Sequence, residues 1–315
     1  MLSAMQAGGQ VRSRNYSFLS SDAGQQATQV DWAATFNDTS LPLVADLGCG
    51  AGRYVLLMGS NDAARSSNYL GLDVHKALLD RANGWAAARG LSGHVAYVQA
   101  NVVVSAAAIL GSYPGRHVRL VSIQYPDPQQ RRRRHVVGRE LVAALAEVLP
   151  SGAQVYLNSD FEDTATYMRN CFERFGAQHF DIDTTVHVPG STFPCSEVLQ
   201  PVRPDVVTPQ AGRRPRASGA GDAAPGTAAW RSASGDDGPS GPGSGSESGG
   251  EGGGGGGSGG EAVDEEEVDL LFWRQGRWRE AGWLLRNPVG APTEREVYVE
   301  LATRQQVYRV MLVRR

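Results

Sequence analysis

The chain has 315 residues, 41% of them apolar, and a formal net charge of −3. That supplies one sizeable core, more than an average domain without clearly making two. No run of eighteen apolar residues offers a membrane span, and the N-terminus lacks the charged-then-apolar pattern of a secretory signal.

The three cysteines, Cys49, Cys171 and Cys195, form no Cys-x-x-Cys pair, which argues against a zinc site or a disulfide framework. A reducing, intracellular setting is expected. Of the 30 basic residues only Lys76 is a lysine, and arginine suits bidentate phosphate contacts. A net charge of −3 argues at first against a nucleic-acid ligand, but its distribution reverses the impression. Residues 1–200 sum to −1, residues 201–269 to −7 and residues 270–315 to +5. Without the middle segment the chain is basic.

In chain order, the first 200 residues alternate strand and helix signals. Leu43–Leu47 is a short apolar run ended by glycines, and Tyr69–Leu72 is a second, followed by a helical stretch from His75 to Arg89. Val95–Gln99 and Val118–Gln124 predict further strands. Arg139–Leu149 has helical spacing and stops at Pro150-Ser151-Gly152; Val155–Leu157 predicts a strand and Phe161–Phe175 a helix. Repeated βα units imply a mostly parallel sheet with helices on both faces. Its ligand belongs at the carboxyl ends of the strands.

From Pro201 the pattern fails. Pro201–Asp237 has almost no apolar periodicity, and from Gly235 to Gly260 fifteen of 26 residues are glycine. Such composition buries too little surface to offset its ordering entropy, so residues 201–269 are expected to form a disordered, low-complexity insertion. The acidic run Glu265-Glu266-Glu267 follows. Order is expected again from Leu270, ending in the alternating Val307, Arg309, Met311 and Val313 of a terminal strand. Residues 1–200 and 270–315 are thus read as one domain.

Candidate chemistry lies just after the strands. Gly48, Gly50 and Gly52 follow the first as Gly-x-Gly-x-Gly, where glycine lets the backbone turn tightly and approach a ligand. The spacing departs from Gly-x-Gly-x-x-Gly, which disfavours a nicotinamide dinucleotide; by itself it also fits a plain strand-to-helix turn. Asp73 ends the second strand, where an acid can accept both hydroxyls of an adenosine ribose or serve as a helix N-cap. Asn101 follows the third strand and can bond an adenine edge or simply make a turn. After the fourth strand, Tyr125-Pro126-Asp127-Pro128 holds an acid between two prolines. Arg131–Arg134 comes directly after, a run that fits a phosphate backbone or a solvated helix start.

Glycine turn, ribose acid and adenine-edge amide after successive strands resemble the S-adenosylmethionine site of class I methyltransferases. Tyr125-Pro126-Asp127-Pro128 with its basic run, Asn158-Ser159-Asp160-Phe161-Glu162 and Pro292-Thr293-Glu294-Arg295-Glu296 resemble more specifically the bacterial-type tRNA (guanine-N7)-methyltransferase family. Val11-Arg12-Ser13-Arg14 and Val30-Asp31-Trp32 resemble it too. Gly282-Trp283-Leu284-Leu285 with Asn287-Pro288 resembles plant and algal members.

That resemblance implies a class I Rossmann-like fold, S-adenosyl-L-methionine as cofactor and tRNA as partner, with the variable-loop guanosine at tRNA position 46 as target. It implies cofactor contacts at Asp46, Gly48, Gly50, Asp73, Asn101 and Asp127, with Asp127 also catalytic. Substrate contacts fall on Arg131, Asp160, Thr293 and Glu296. Ser159-x-x-Glu162 and Thr293-x-x-Glu296 also fit helix capping boxes. No metal is expected, since the six histidines show no ligand spacing and are assigned structural or surface roles; no protein partner is indicated. A plastid is favoured over cytosol or nucleus. The alternatives are a methyltransferase of another substrate and a non-catalytic tRNA-binding module of the same fold.

Overall fold

The computed structural model describes residues 18–19, 21–126, 136–196 and 276–315. Two helical turns, α1 (Asp22–Gln25) and α2 (Trp32–Thr35), precede alternating elements. These are β1 (Leu43–Leu47), α3 (Arg53–Asn61), β2 (Asn68–Asp73), α4 (Lys76–Ala88), β3 (Val95–Gln99), α5 (Val102–Gly111) and β4 (Val118–Gln124). Then come α6 (Arg139–Val148), β5 (Gln154–Ser159), α7 (Glu162–Gly176), β6 (Phe180–Ile182) and β7 (Thr192–Phe193). β8 (Trp283–Leu284), α8 (Glu294–Val297) and β9 (Tyr308–Arg314) complete the described residues.

Seven strands form one sheet in the order β3-β2-β1-β4-β5-β9-β6, while β7 and β8 pair separately. From β3 to β5 all neighbours are parallel; β9 runs antiparallel to both β5 and β6. The chain moves outward from β1 to β3, then returns to β4 on the other side of β1. Loops leaving β1 and β4 therefore diverge and open a crevice at the carboxyl edge.

Strand alternation divides the core into two clusters. Leu43, Ala45, Leu47, Val121, Ile123, Val155 and Leu157 pack with α5, α6 and α7. Val44, Tyr69, Leu120, Tyr156 and Met311 pack with α3 and α4 on the opposite face. The mostly parallel sheet covered on both faces is thus as expected. At the amino edge, Trp32 stands edge-on to Tyr113 at 4.9 Å, and Asp31 caps α2 through the Ala34 amide. In the described structure Asp31 and Trp32 act as cap and core.

The elements read from the sequence agree with those seen to within two residues, but α5 and β9 depart from simple periodicity. α5 opens with Val102-Val103-Val104, whose branched side chains favour strands. It is helical because Val102, Ser105, Ala106, Ile109 and Leu110 share one buried face. In β9, Arg309 is 1% exposed, since the strand lies between two others and is covered on both sides. The insertion expected at 201–269 lies outside the described residues.

Candidate functional site

The glycine turn after β1 assigns different duties to its three glycines. Gly48, Gly50 and Gly52 have φ of +85°, +55° and +74°, which disfavours other residues. A Cβ at Gly52 would stand 2.4 Å from the Tyr97 ring, whose hydroxyl donates to the Gly52 carbonyl at 2.6 Å, so Gly52 permits packing. Cβ atoms on Gly48 or Gly50 would meet nothing within 4 Å. Those two face open space at the strand edge, a backbone cradle in which a ligand can approach the amides. The Gly48 and Cys49 amides donate to the Leu72 carbonyl and lash the turn to β2.

Asp73 is joined directly to that cradle. Its Oδ2 accepts from the Gly50 amide at 2.8 Å, and its Oδ1 accepts from the His75 amide at 3.0 Å while lying 2.7 Å from His75 Nδ1. Burial pushes the Asp73 carboxyl up, but the bonds from His75 and Gly50 outweigh it and hold the carboxyl below its usual range. The same contact raises His75. His75, and not Asp73, occupies the N-cap position of α4. His75, expected in a structural or surface place, instead joins the site; the Asp-x-His spacing at a strand end is the signal for it, which metal-ligand spacing does not capture.

Asp46 lies on β1, buried, and accepts from Ser122 Oγ at 2.7 Å and Gln124 Nε2 at 3.4 Å. Burial raises its carboxyl to about 6 against those bonds, with the nearby Asp73 charge adding to the rise. Gln124 Oε1 in turn accepts from Asn158 Nδ2 at 3.3 Å. This line of amides connects the ends of β1, β4 and β5. Sequence inspection missed it because Gln124 and Asn158 meet only through strand register.

Asn101 stands at the N-cap position of α5 without capping it; its Nδ2 donates to the Gly24 carbonyl at 2.9 Å. The α1 segment is thereby tied to the end of β3. Asp46, Gly48, Gly50, Asp73 and Asn101 all fall at the carboxyl ends of adjacent strands, as expected.

The residues expected on the substrate side are differently engaged. Asp160, after β5, is paired with Arg295 and its side chain is 7% exposed. Thr293 Oγ1 accepts from the Glu296 amide at 3.0 Å and caps α8. Glu296 is fully buried: Oε1 accepts from Arg309 Nε at 2.9 Å, and Oε2 from Asn287 Nδ2 at 2.8 Å. Arg309 also pairs with Glu300, and Arg53, first residue of α3, with Glu294. In this conformation Thr293 makes half of the anticipated capping box, while the Glu296 side chain is spent on Arg309. The capping box at Ser159-x-x-Glu162 is not formed: Phe161 is the N-cap of α7, and Glu162 accepts from Ser196 and the Trp283 indole.

Asp127 and Arg131–Arg134 lie outside the described residues. The residue leading to them, Tyr125, has a φ of +50°, rare for a residue with a Cβ. Its amide donates to the Asn158 carbonyl at 3.0 Å, and its buried hydroxyl has no hydrogen-bond partner among the described residues. Among the described residues no group of three or more His, Cys, Asp or Glu could hold a metal, and no helix is long and apolar enough to cross a membrane.

The parallel sheet with one antiparallel strand inserted beside β5, and a glycine turn lashed to an acid on β2, define the class I methyltransferase fold. A family described as "Putative methyltransferase" matches residues 40–194. The tRNA (guanine-N(7)-)-methyltransferase of Synechococcus elongatus is 39% identical over 154 residues, 48% of this chain and 70% of that protein. The one from Thermosynechococcus vestitus is 36% identical over 179 residues, 56% of this chain and 80% of that protein. The chain belongs to the tRNA (guanine-N7)-methyltransferase family. Among solved structures, an RNA methyltransferase from Salinibacter ruber in complex with S-adenosyl-L-homocysteine is 21% identical with a TM-score of 0.27, over 38% of this chain and 66% of that one.

Proposed function

We propose that this protein transfers a methyl group from S-adenosylmethionine to N7 of guanine in tRNA, at the variable-loop guanosine, giving 7-methylguanosine. The observation that carries the reading is the 2.8 Å bond from the Gly50 amide to Asp73, which sets the open glycine cradle and the ribose acid in one fixed relation. Family membership supplies the substrate class.

When bound, the cofactor supplies a methyl group on a cationic sulfur. Asp73 would accept a ribose hydroxyl at the position on Oδ2 that Gly50 leaves free, Oδ1 being taken up by His75. Gly48 and Gly50 would let the cofactor lie against the backbone, Asn101 would turn its free Oδ1 to the adenine edge, and Asp46 would offer negative charge to the amino-acid portion. Guanine N7 already carries an in-plane lone pair, so no residue has to remove a proton before attack. Methylation would place positive charge on the purine, and Asp127, which lies between Pro126 and Pro128 in the sequence, would stabilise that charge and orient the ring. Arg131 meets the tRNA backbone. Asp160, Thr293 and Glu296 shape the substrate edge, Glu296 from its buried pair with Arg309.

Residues 1–200 and 270–315 form the catalytic domain and residues 201–269 an insertion, so deletion of Pro209–Gly260 leaves folding and cofactor binding intact. A plastid is the proposed place of work, in keeping with the cyanobacterial relatives. Labelled S-adenosylmethionine with unmodified tRNA, followed by nucleoside analysis, tests the reaction: label appears in 7-methylguanosine, and label in any other nucleoside overturns it.

A further inference from the structure

The outer face of α4 carries a feature that the cofactor site does not use. Arg81, Trp85 and Arg89 are spaced four apart and so share one side of the helix. At 1.5 Å per residue the two arginines stand about 12 Å apart. The Arg81 guanidinium lies 5.0 Å from the Trp85 ring centroid, and the Arg53 guanidinium, from α3, lies 5.4 Å from the same ring. Arg89 donates to the Trp85 carbonyl at 3.3 Å, and Arg65 to the Gly90 carbonyl at 3.1 Å just past the helix end. Four arginines and an indole therefore occupy one surface.

The neighbouring acids are already engaged. Asp80 is held by Lys76 at 2.7 Å, Asp62 accepts from the Ser66 and Ser67 amides, and Glu294 is paired with Arg53. Arg65, Arg81 and Arg89 are exposed and make no ion pair among the described residues. A merely solvated helix face would carry acids interspersed with its bases. Here Arg53 and Arg81 both lie over one indole; Glu294 answers Arg53, while Arg81 keeps its charge for an external anion. Guanidinium forks match phosphate geometry, and the indole holds the Arg81 fork in place by stacking. The surface also has a direction: Arg53 follows Gly52 directly, so the patch starts at the cofactor turn and runs outward along α4.

We propose that Arg81 and Arg89, with Trp85 between them, form a docking surface for the phosphate backbone of the substrate tRNA, separate from Arg131–Arg134. The proposal rests on the tRNA reading given above. The surface fixes how the tRNA lies across the protein and takes no part in the chemistry.

The test is tRNA binding between 50 and 200 mM salt for the wild-type chain, for Arg81→Ala/Arg89→Ala and for Arg81→Lys/Arg89→Lys, with S-adenosylmethionine affinity measured alongside. The alanine pair is expected to flatten the log–log salt slope by roughly 0.7–0.9 for each phosphate that is no longer neutralised. It should raise the KM for tRNA while leaving cofactor affinity and kcat at saturating tRNA unchanged; the lysine pair should keep most of the slope. Wild-type tRNA binding with an unaltered slope in the alanine pair overturns the surface alone. A polyglutamate peptide that binds the patch and does not compete with tRNA overturns it in favour of an acidic protein. A wild-type chain that binds cofactor but no tRNA overturns the tRNA reading, and this surface with it.

Discussion

The two sides of the crevice hold their carboxylates by different means. On the cofactor side, Asp46 and Asp73 are held mainly by neutral donors, the Ser122 hydroxyl, the Gln124 amide and the Gly50 and His75 backbone amides, with only the His75 ring able to carry charge. On the side proposed for substrate, Asp160, Glu294 and Glu296 are each held by an arginine. A carboxylate fixed by amides keeps its charge and spare lone pairs for a ligand. One paired with a guanidinium has much of its charge already answered. The side proposed for the cofactor is therefore preorganised, whereas the side proposed for substrate is held by ion pairs, of which Arg53–Glu294, tied to the glycine turn, and Arg295–Asp160 are within reach of salt or a polyanion.

The largest expected effect breaks the substrate side from beneath. Glu296→Ala leaves buried Arg309 with Glu300 alone, so unfolding should cost less, by up to the roughly 3–5 kcal/mol seen when one member of a buried pair is removed. Calorimetry or urea melts check this; an unchanged melting point would mean that Glu296 is not a structural anchor. Next comes Asp127→Asn, which should cut the single-turnover rate with saturating tRNA and cofactor on the order of a hundredfold or more. Because N7 needs no deprotonation, the rate should stay flat with pH near neutrality in both forms. A wild-type rate in the amide variant would reduce Asp127 to a turn residue.

On the cofactor side, Asp73→Ala removes a charged acceptor and should weaken S-adenosylmethionine binding by about 1.5–3 kcal/mol, roughly ten- to a hundredfold. Calorimetric affinity equal to wild type would take Asp73 out of the site. The smallest effect lies in the Asp73–His75 pair. His75 is raised and Asp73 lowered by their contact, so its stabilisation is fullest below the unfolded histidine value of about 6.5 and fades as pH rises through the raised folded value. On the acid side it persists until Asp73 protonates. The melting-point gap between wild type and His75→Gln should therefore be widest on the acid side of the unfolded histidine value and close as pH rises through the raised folded one. A gap independent of pH would show that the ring serves by shape alone.

What could be read in the sequence follows the same division. Gly48, Gly50 and Asp73 were legible because a positive φ, a close backbone approach and a strand-end acid are local requirements with local signatures. Glu296 and Arg309 were not. Their partnership depends on β9 entering the sheet beside β5, which no spacing between Thr293 and Val313 records, and so a capping signature stood in for a buried ion pair. α5 was missed for a related reason: three successive valines argue for a strand, and only the packing partners on α6 decide otherwise. The Gln124–Asn158 link required the register of β4 against β5, which the strand limits alone did not supply.

The position of β9 has a further consequence, in the time domain. β5 pairs with a strand that begins at Tyr308, so Gln154 meets Val313 across most of the second half of the sequence. During synthesis, β1 to β5 can assemble from the first 160 residues, yet the β5 edge stays unpaired until residues beyond 307 have emerged. An open edge on a half-built parallel sheet is a template for pairing with other chains. Every residue added between β7 and β8 lengthens that exposure, while its thermodynamic cost grows only with the logarithm of the loop. If the expected insertion holds, its length burdens the yield of folding more than the stability of the folded enzyme, and variants that shorten it should gain most when expression is fast and warm.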